Sequence, residues 1–347
     1  MYAASRCGDA RRVRKLQKTL MRSWSNRVLA VRRVTVENQG KKTAGVDGVK
    51  SLPPSARLDL AKRLKPTGKS MPTRRVWIPK PGREEKRPLR IPTMYDRALQ
   101  AVVKAAIEPE WEAVFEPSSY GFRPGRSCHD AIAHIKFAIK SKALFVLDAD
   151  ISRCFDCINH QALLQKLNMK GKVRQQIKAW LKSGVIDKGA FTATSLGTPQ
   201  GGVISPLLAN IALHGLENKI KDFAESLNMI NPLLGRQMSK RDQRKSLTFV
   251  RYADDFVCLH HDKSVVQRCR EIISEWLAGI GLHECNRSND QRLTTNNQQP
   301  TTQRENQSPI FGKPYLWARA LAGGNLPDCR RKRPNTHQPT TQRENQY

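Results

Sequence analysis

The chain has 347 residues, enough for one large or two ordinary domains, and carries 61 Lys+Arg against 30 Asp+Glu, a formal net charge of +31. That excess argues against an ordinary enzyme acting on small neutral substrates. It attracts polyanions, of which nucleic acid is the commonest, with an anionic membrane surface or a merely solvated basic face as the alternatives. The charge is uneven, with 26 Lys+Arg and 7 Asp+Glu in residues 1–100. No window approaches the ~20 consecutive apolar residues of a membrane-spanning helix. The basic N-terminus also lacks the apolar run of a secretory signal. Eight scattered cysteines fit a reduced, intracellular protein. Cys154 and Cys157 form a lone CxxC without a second pair at zinc spacing, and they are read as packing residues.

Leu16, Leu20, Trp24, Val28 and Val31 recur at spacings of three and four, which predicts one basic amphipathic helix over 9–38. Gly45-Val46-Asp47-Gly48 reads as a turn. Two short strands, Val76–Lys80 and Arg87–Pro92, flank a polar loop. Residues 94–115 and 128–140 have helical periodicity, with the Gly/Pro/Arg-rich stretch Ser118–Ser127 between them. Leu144–Leu147 is a buried-strand run ending at Asp148-Ala149-Asp150. A helix is expected over His160–Leu181, then two β-rich runs, Leu247–Tyr252 and Phe256–Leu259, and a last helix near Val265–Leu277. Beyond His283 the chain turns rich in Asn, Gln, Thr, Arg and Pro. The nonapeptide at 299–307 returns identically at 338–346. Polar low complexity without core residues predicts disorder, and two copies are too few for a solenoid.

Chemistry centres on the acids. Asp150 follows an apolar strand, and Asp254-Asp255 lies between two β-runs, so pairing of these segments would converge the carboxylates. Clustered carboxylates repel unless a hard cation neutralises them. Mg²⁺ suits such oxygen ligands, and two ions ~3.5–4 Å apart could activate a 3′-hydroxyl and stabilise a pyrophosphate leaving group. The plain alternative is that Asp254-Asp255 only forms a hairpin turn. Gly197-Thr198-Pro199-Gln200-Gly201-Gly202 could let backbone approach a ligand, with Gln200 bonding a base or sugar, or could be an ordinary loop before a helix.

Together these blocks resemble the group II intron-encoded reverse transcriptase/maturase family over about 9–283. The matching series is Asn38-Gln39-Gly40 with Thr43–Gly48, Ile78-Pro79-Lys80 with Arg87-Pro88-Leu89 and Ile91-Pro92-Thr93, Ser119–Ser127, Asp150-Ile151 with Cys154-Phe155-Asp156, Pro199–Gly202, and Tyr252–Asp255, in the family's order. The resemblance implies an α+β right-hand polymerase, with a basic helical N-terminal extension over 1–60 and fingers and palm over 61–283, while the low-complexity stretch 284–347 is read from its composition as a disordered tail. It implies an RNA-directed DNA polymerase, with RNA template or intron RNA, DNA primer and dNTPs as partners and no membrane. Its setting would be the bacterial cytoplasm, as a nucleoid-associated ribonucleoprotein, or the stroma or matrix if organelle-encoded. Asp150, Asp254 and Asp255 resemble the palm carboxylates, with the carbonyl of Ile151 as a further metal ligand. Phe155 resembles the gate that excludes a ribose 2′-hydroxyl, or else is a core aromatic. Lys80 and Arg87 match finger positions that clamp the triphosphate, or else are general surface charge. Gln200 and Gly201 would touch the nascent pair. Arg123 and Arg126 either line the template path or belong to a loop that caps the next helix.

The resemblance breaks after Gly281-Leu282, where the family runs on into a thumb and maturase domain. The expectation is therefore a truncated or frameshifted member lacking those parts. Two rivals stay open: an RNA-binding splicing factor without polymerase activity, and an inactive remnant.

Overall fold

A computed structural model of the chain describes residues 1–79, 84, 86–140, 144–230, 235–286 and 291–293. The N-terminal segment is helical: α1 (Tyr2–Arg6), α2 (Ala10–Arg22), α3 (Trp24–Arg32), a π-helical turn (Arg33–Glu37), a 3-10 turn (Gln39–Lys42) and α4 (Pro54–Arg63). The single helix expected over 9–38 is broken at Ser23. There the backbone is extended, and the Ser23 hydroxyl caps the next helix by accepting from the Asn26 amide at 3.3 Å. Apolar periodicity carries across such a break unchanged, so the pattern alone does not show it.

Strands β1 (Thr73–Pro79) and β2 (Lys86–Ile91) form an antiparallel pair at the expected place. Helix α5 (Met94–Glu112) follows, capped by Thr93. Met94, Ala98, Leu99, Val102, Val103, Ala106 and Ile107 are all buried on it, alongside Asp96, Arg97 and Gln100. A helix buried on nearly every side belongs to the interior; here α2 and α3 pack on it from one direction. Next come α6 (Cys128–Ile139), β3 (Leu144–Ser152), the one-turn α7 (Cys154–Cys157), α8 (His160–Leu167) and α9 (Gly171–Leu181). The helix expected over 160–181 is thus two, parted where Asn168 takes a left-handed conformation (φ 46°). Strands β4 (Val185–Asp187) and β5 (Ala190–Thr192), which the sequence reading did not anticipate, complete a four-stranded sheet in the order β2-β1-β4-β5.

Helices α10 (Ser205–Leu213), α11 (Leu216–Glu225) and α12 (Lys240–Ser246) lead to the hairpin β6 (Thr248–Tyr252) and β7 (Asp255–His260), then α13 (Lys263–Ala278). The second sheet runs β6-β7-β3-β8, where β8 is His283–Asn286; β9 (Gln291–Leu293) pairs with the start of β3. The expectation of a structureless stretch from 284 is corrected at its start, because β8 supplies the second neighbour that β3 needs for its backbone groups. The repeat-bearing remainder lies outside the described residues. Helix α13 buries Val265, Val266, Cys269, Ile272, Ile273 and Leu277 against the sheet, each worth about 1.5–3 kcal/mol relative to exposure. No described helix is long and apolar enough to cross a membrane.

One strand end carries a pH dependence. His260 is buried, stacks at 4.1 Å on His261, and accepts the Asp262 amide hydrogen at Nδ1 (3.0 Å), which requires the neutral ring. Burial, then the neighbouring His261, pushes its pKa down to about 4. A base depressed by folding leaves stability intact above about pH 6.5, where neither state is protonated. Stability is then lost as pH falls toward about 4, because the unfolded chain takes up a proton that the folded ring refuses. Burial also lowers His134 and His160, so the acid slope is shared. His260→Gln should remove about one proton's worth of it, ~1.4 kcal/mol per pH unit, in urea melts between pH 7 and 4. An unchanged slope would refute the assignment to His260.

Candidate active site

From Leu147 onward strand β3 alternates: Leu147, Ala149 and Ile151 are buried while Asp148, Asp150 and Ser152 are partly open. Its antiparallel register against β7 sets Asp150 directly opposite Asp255. Directly opposed residues share a face, with Cβ atoms about 5 Å apart. The hairpin turn between β6 and β7 is Ala253-Asp254, and the Ile151 amide donates to the Asp254 carbonyl at 3.1 Å. The turn therefore lies against the strand at the residue after Asp150. Burial raises the Cys154 thiol far above its ordinary range, and the Asp254 and Asp150 carboxylates add to the rise.

The turn is held from behind. Ala253 has φ 59°, the sign a type II′ turn requires at its first central residue. In a residue with a Cβ, this costs about 1–3 kcal/mol and persists only where the surroundings over-determine it. Arg251, wholly buried, supplies the enforcement. Its Nη1 donates to the Ala253 carbonyl (3.0 Å) and to Asn210 Oδ1 (3.1 Å), and its Nη2 to Ser119 Oγ (2.8 Å). Its backbone pairs with the 118–120 loop: its amide donates to the Ser118 carbonyl, and its carbonyl accepts from the Tyr120 amide, each at 2.9 Å. Asn210 Nδ2 also donates to the Gly121 carbonyl (2.8 Å). Gly121 must be glycine, since a Cβ there would overlap the Ala253 backbone. Burial pushes the Arg251 guanidinium down, and the charges of Glu116 and Glu217 push it back up. Burial would likewise raise Glu116, but its bond to His214 Nδ1 (2.8 Å) and the Arg251 charge carry it below its ordinary value.

Phe155 and Asp156 sit on α7, one turn past Asp150. The Phe155 ring meets Phe122 edge-on at 6.0 Å, and is half-buried against the main core. The loop 197–202 is fastened to the same turn: the Thr198 amide donates to the Phe155 carbonyl (2.6 Å) and the Gly197 amide to the Ile158 carbonyl (2.8 Å). Gln200 Nε2 reaches Asp156 Oδ2 at 3.4 Å, and Gly201 (φ 116°) lies against the Arg90 carbonyl. The structure thus gathers Asp150, Ile151, Phe155, Gln200, Gly201, Asp254 and Asp255 around the meeting of β3, α7 and the turn. Arg87 stands apart, exposed on β2 opposite Ile78. Lys80 lies outside the described residues.

The template contact expected of Arg123 is corrected. Its side chain is 4% exposed and spends four N–H groups inward, on Glu112 (3.2, 3.0 and 2.9 Å) and on the carbonyls of Glu116 (2.8 Å) and Ser119 (2.9 Å). Arg126 reaches the Pro117 carbonyl at 2.5 Å and stacks over Tyr120. Both arginines brace the loop that supports the turn, and Ser127 forms a capping box with Asp130 for α6. Arg251 was the residue missed. Its signal was available, since it interrupts an apolar strand immediately before Tyr252.

Among the described residues no three His, Cys, Asp or Glu side chains gather to hold an ion unaided. Mg²⁺ does not need such a cage, because it is commonly held by one or two carboxylates, water and substrate phosphates. The converging carboxylates beside the Ile151 backbone fit that donor set.

A family described as reverse transcriptase (RNA-dependent DNA polymerase) matches residues 78–284, and the N-terminal domain of reverse transcriptase matches 1–64. Protein YkfC of Escherichia coli K12 is 36% identical over 266 residues, spanning 69% of this chain and 69% of YkfC. Group II intron-encoded protein LtrA of Lactococcus lactis subsp. cremoris is 37% identical over 230 residues, spanning 54% of this chain but only 38% of LtrA. Among solved structures, an apo telomerase from Candida tropicalis aligns at a TM-score of 0.44 and 14% identity, over 64% of this chain and 51% of that one.

Arg251→Met should cost about 3–5 kcal/mol, the scale for leaving buried partners of an ion network uncompensated. Arg251→Lys keeps the charge, loses the planar fork, and should cost at least about 1 kcal/mol. Urea unfolding of both variants checks this; a Met variant as stable as the parent would show that the turn stands without it.

Proposed function

The chain belongs to the reverse transcriptase (RNA-dependent DNA polymerase) family, with group II intron-encoded proteins among its relatives, and on that footing we propose that it extends a DNA primer on an RNA template using dNTPs. The observation that carries the reading is the β3–β7 register, which brings Asp150 opposite Asp255 beside the Asp254 turn. Asp150, Asp254 and Asp255, with the Ile151 carbonyl, would hold Mg²⁺. Bound there, the metal would supply Lewis acidity toward the primer 3′-hydroxyl and positive charge for the leaving pyrophosphate. The chain's own residues do the rest. Arg251 and Gly121 keep the carboxylate turn rigid, so that little reorganisation accompanies charge development. Phe155 stands where a ribose 2′-hydroxyl would clash, Gln200 and Gly201 line the nucleotide, and Arg87 with Lys80 supplies cationic donors for its phosphates. Residues 1–60 form a basic helical extension, 61–283 the fingers and palm, and the net charge of +31 draws in the template–primer duplex.

The test is extension of a DNA primer on an RNA template with Mg²⁺ and dNTPs, comparing the parent with Asp254→Ala. The parent should give product. The variant should lose on the order of 100-fold or more, the scale for removing a group that stabilises transition-state charge. No Mg²⁺-dependent product from the parent, together with salt-sensitive binding of structured intron RNA, would overturn the polymerase reading in favour of an RNA-binding splicing factor.

A further inference from the structure

Three segments meet at one carboxylate that the proposed metal chemistry does not use. Arg90 lies on β2 of the four-stranded sheet, Asp156 on α7, and Gln200 in the 197–202 loop. Arg90 Nη2 donates to Asp156 Oδ1 at 2.5 Å, while Asp156 Oδ2 accepts from Gln200 Nε2 at 3.4 Å. The backbone closes the same triangle, since the Arg90 amide donates to the Gln200 carbonyl at 2.6 Å. The two charged side chains are 10% and 27% exposed, too sheltered to be treated as a surface pair.

The reason such a clasp is needed lies in α7. It has only four residues, and it starts from Arg153 in a left-handed conformation (φ 45°) with no side-chain cap. A single turn of helix has no stability of its own. Phe155 rides on that turn, with Phe122 at 49% exposure as its aromatic neighbour on the open side. A ring discriminates between sugars only if it cannot retreat, so the stiffness must come from outside the helix. Asp156, one residue further on, supplies it by anchoring α7 to β2 and to the loop at once. The same carboxylate turns the Gln200 amide nitrogen toward itself and so fixes which way that side chain presents its oxygen.

We infer that Asp156 is a positioning residue for sugar selection: through Arg90 and Gln200 it holds Phe155 rigid and presets Gln200 for the incoming nucleotide. The inference rests on the polymerase reading above. A plain structural brace would make different demands. Loosening a brace lowers the efficiency with dNTPs and rNTPs by the same factor, whereas loosening the gate admits rNTPs preferentially.

The experiment measures kcat and KM for a dNTP and its matching rNTP on one primer–template, in the parent, Asp156→Ala, Arg90→Ala and the double variant. Asp156→Ala should lower the dNTP/rNTP ratio of kcat/KM by about tenfold or more, the scale on which a well-fitted pocket rejects one small group. The shift should appear mainly as a raised kcat/KM for the rNTP, with kcat for the dNTP held within about threefold. Arg90→Ala should reproduce the shift, and the double variant should add little to either single one, since contacting partners act as a unit. Hydrogen exchange provides a readout independent of catalysis. In Asp156→Ala the Arg90 and Thr198 amides should exchange at least about tenfold faster, with the β3 amides unchanged. Equal losses for dNTP and rNTP in an active protein would overturn sugar selection alone. Unchanged protection at Arg90 and Thr198 would overturn the clasp whether or not the chain is active. A parent that extends no primer overturns the polymerase reading and sugar selection with it.

Discussion

The register of β3 against β7 is the constraint from which the site follows. Side chains alternate along a strand, so a slip of one residue would turn Asp150 into the core and bring Ala149 or Ile151 to the cleft. Several features exclude that slip. The two-residue turn at Ala253-Asp254 fixes where β7 begins, the Ile151–Asp254 bond locks the turn to β3, and β8 pairs with β3 from its other side across 149–152. Ala149, Ile151, Phe256, Cys258 and Leu259 are fully or almost fully buried, and displacing them would cost far more than any single hydrogen bond.

Charge in this molecule works on two scales. The surface excess of Lys and Arg sets which partners approach. The interior uses the same chemistry for mechanical ends, because Arg123 and Arg251 both bond into the 116–123 loop and are compensated by Glu112, Glu116 and Glu217. A buried guanidinium is costly, and its forked geometry is what lets it fix several carbonyls at once. The close-packed Gly121 of that loop lies against the strained Ala253. Rigidity at the carboxylate turn is thus assembled from residues packed behind it. Asp156 extends the same logic toward the four-stranded sheet, joining the turn after β3 to β2 through Arg90.

Much of the architecture was legible along the chain. The apolar runs at 144–147, 247–252 and 256–259 became paired strands, and helices near 94–112, 128–139 and 263–278 followed their periodicity. The breaks at Ser23 and Asn168 were not legible, because a cap or a left-handed residue interrupts a helix without disturbing the spacing of apolar positions. Strands β4 and β5 have three residues each, too short for alternation to register. The start of the polar tail joined the sheet as β8 for a backbone reason, since pairing there uses main-chain groups and asks little of composition.

Sequence by itself determined the acids at a strand end and at a turn, the glycine-bearing blocks in order, and a basic surface. Those features depend on residue type and local spacing. Only the tertiary structure decided which arginines face inward. Arg123 sits in a Gly/Pro-rich loop that reads as exposed, and Arg251 interrupts an apolar strand. Yet both are buried: Arg123 folds back on Glu112, Glu116 and Ser119 in its own stretch of chain, while Arg251 meets Asn210 and Ser119, brought to it by long-range packing. For Arg251 the partners that compensate the desolvated charge are distant in the chain, and the residues beside it do not record them.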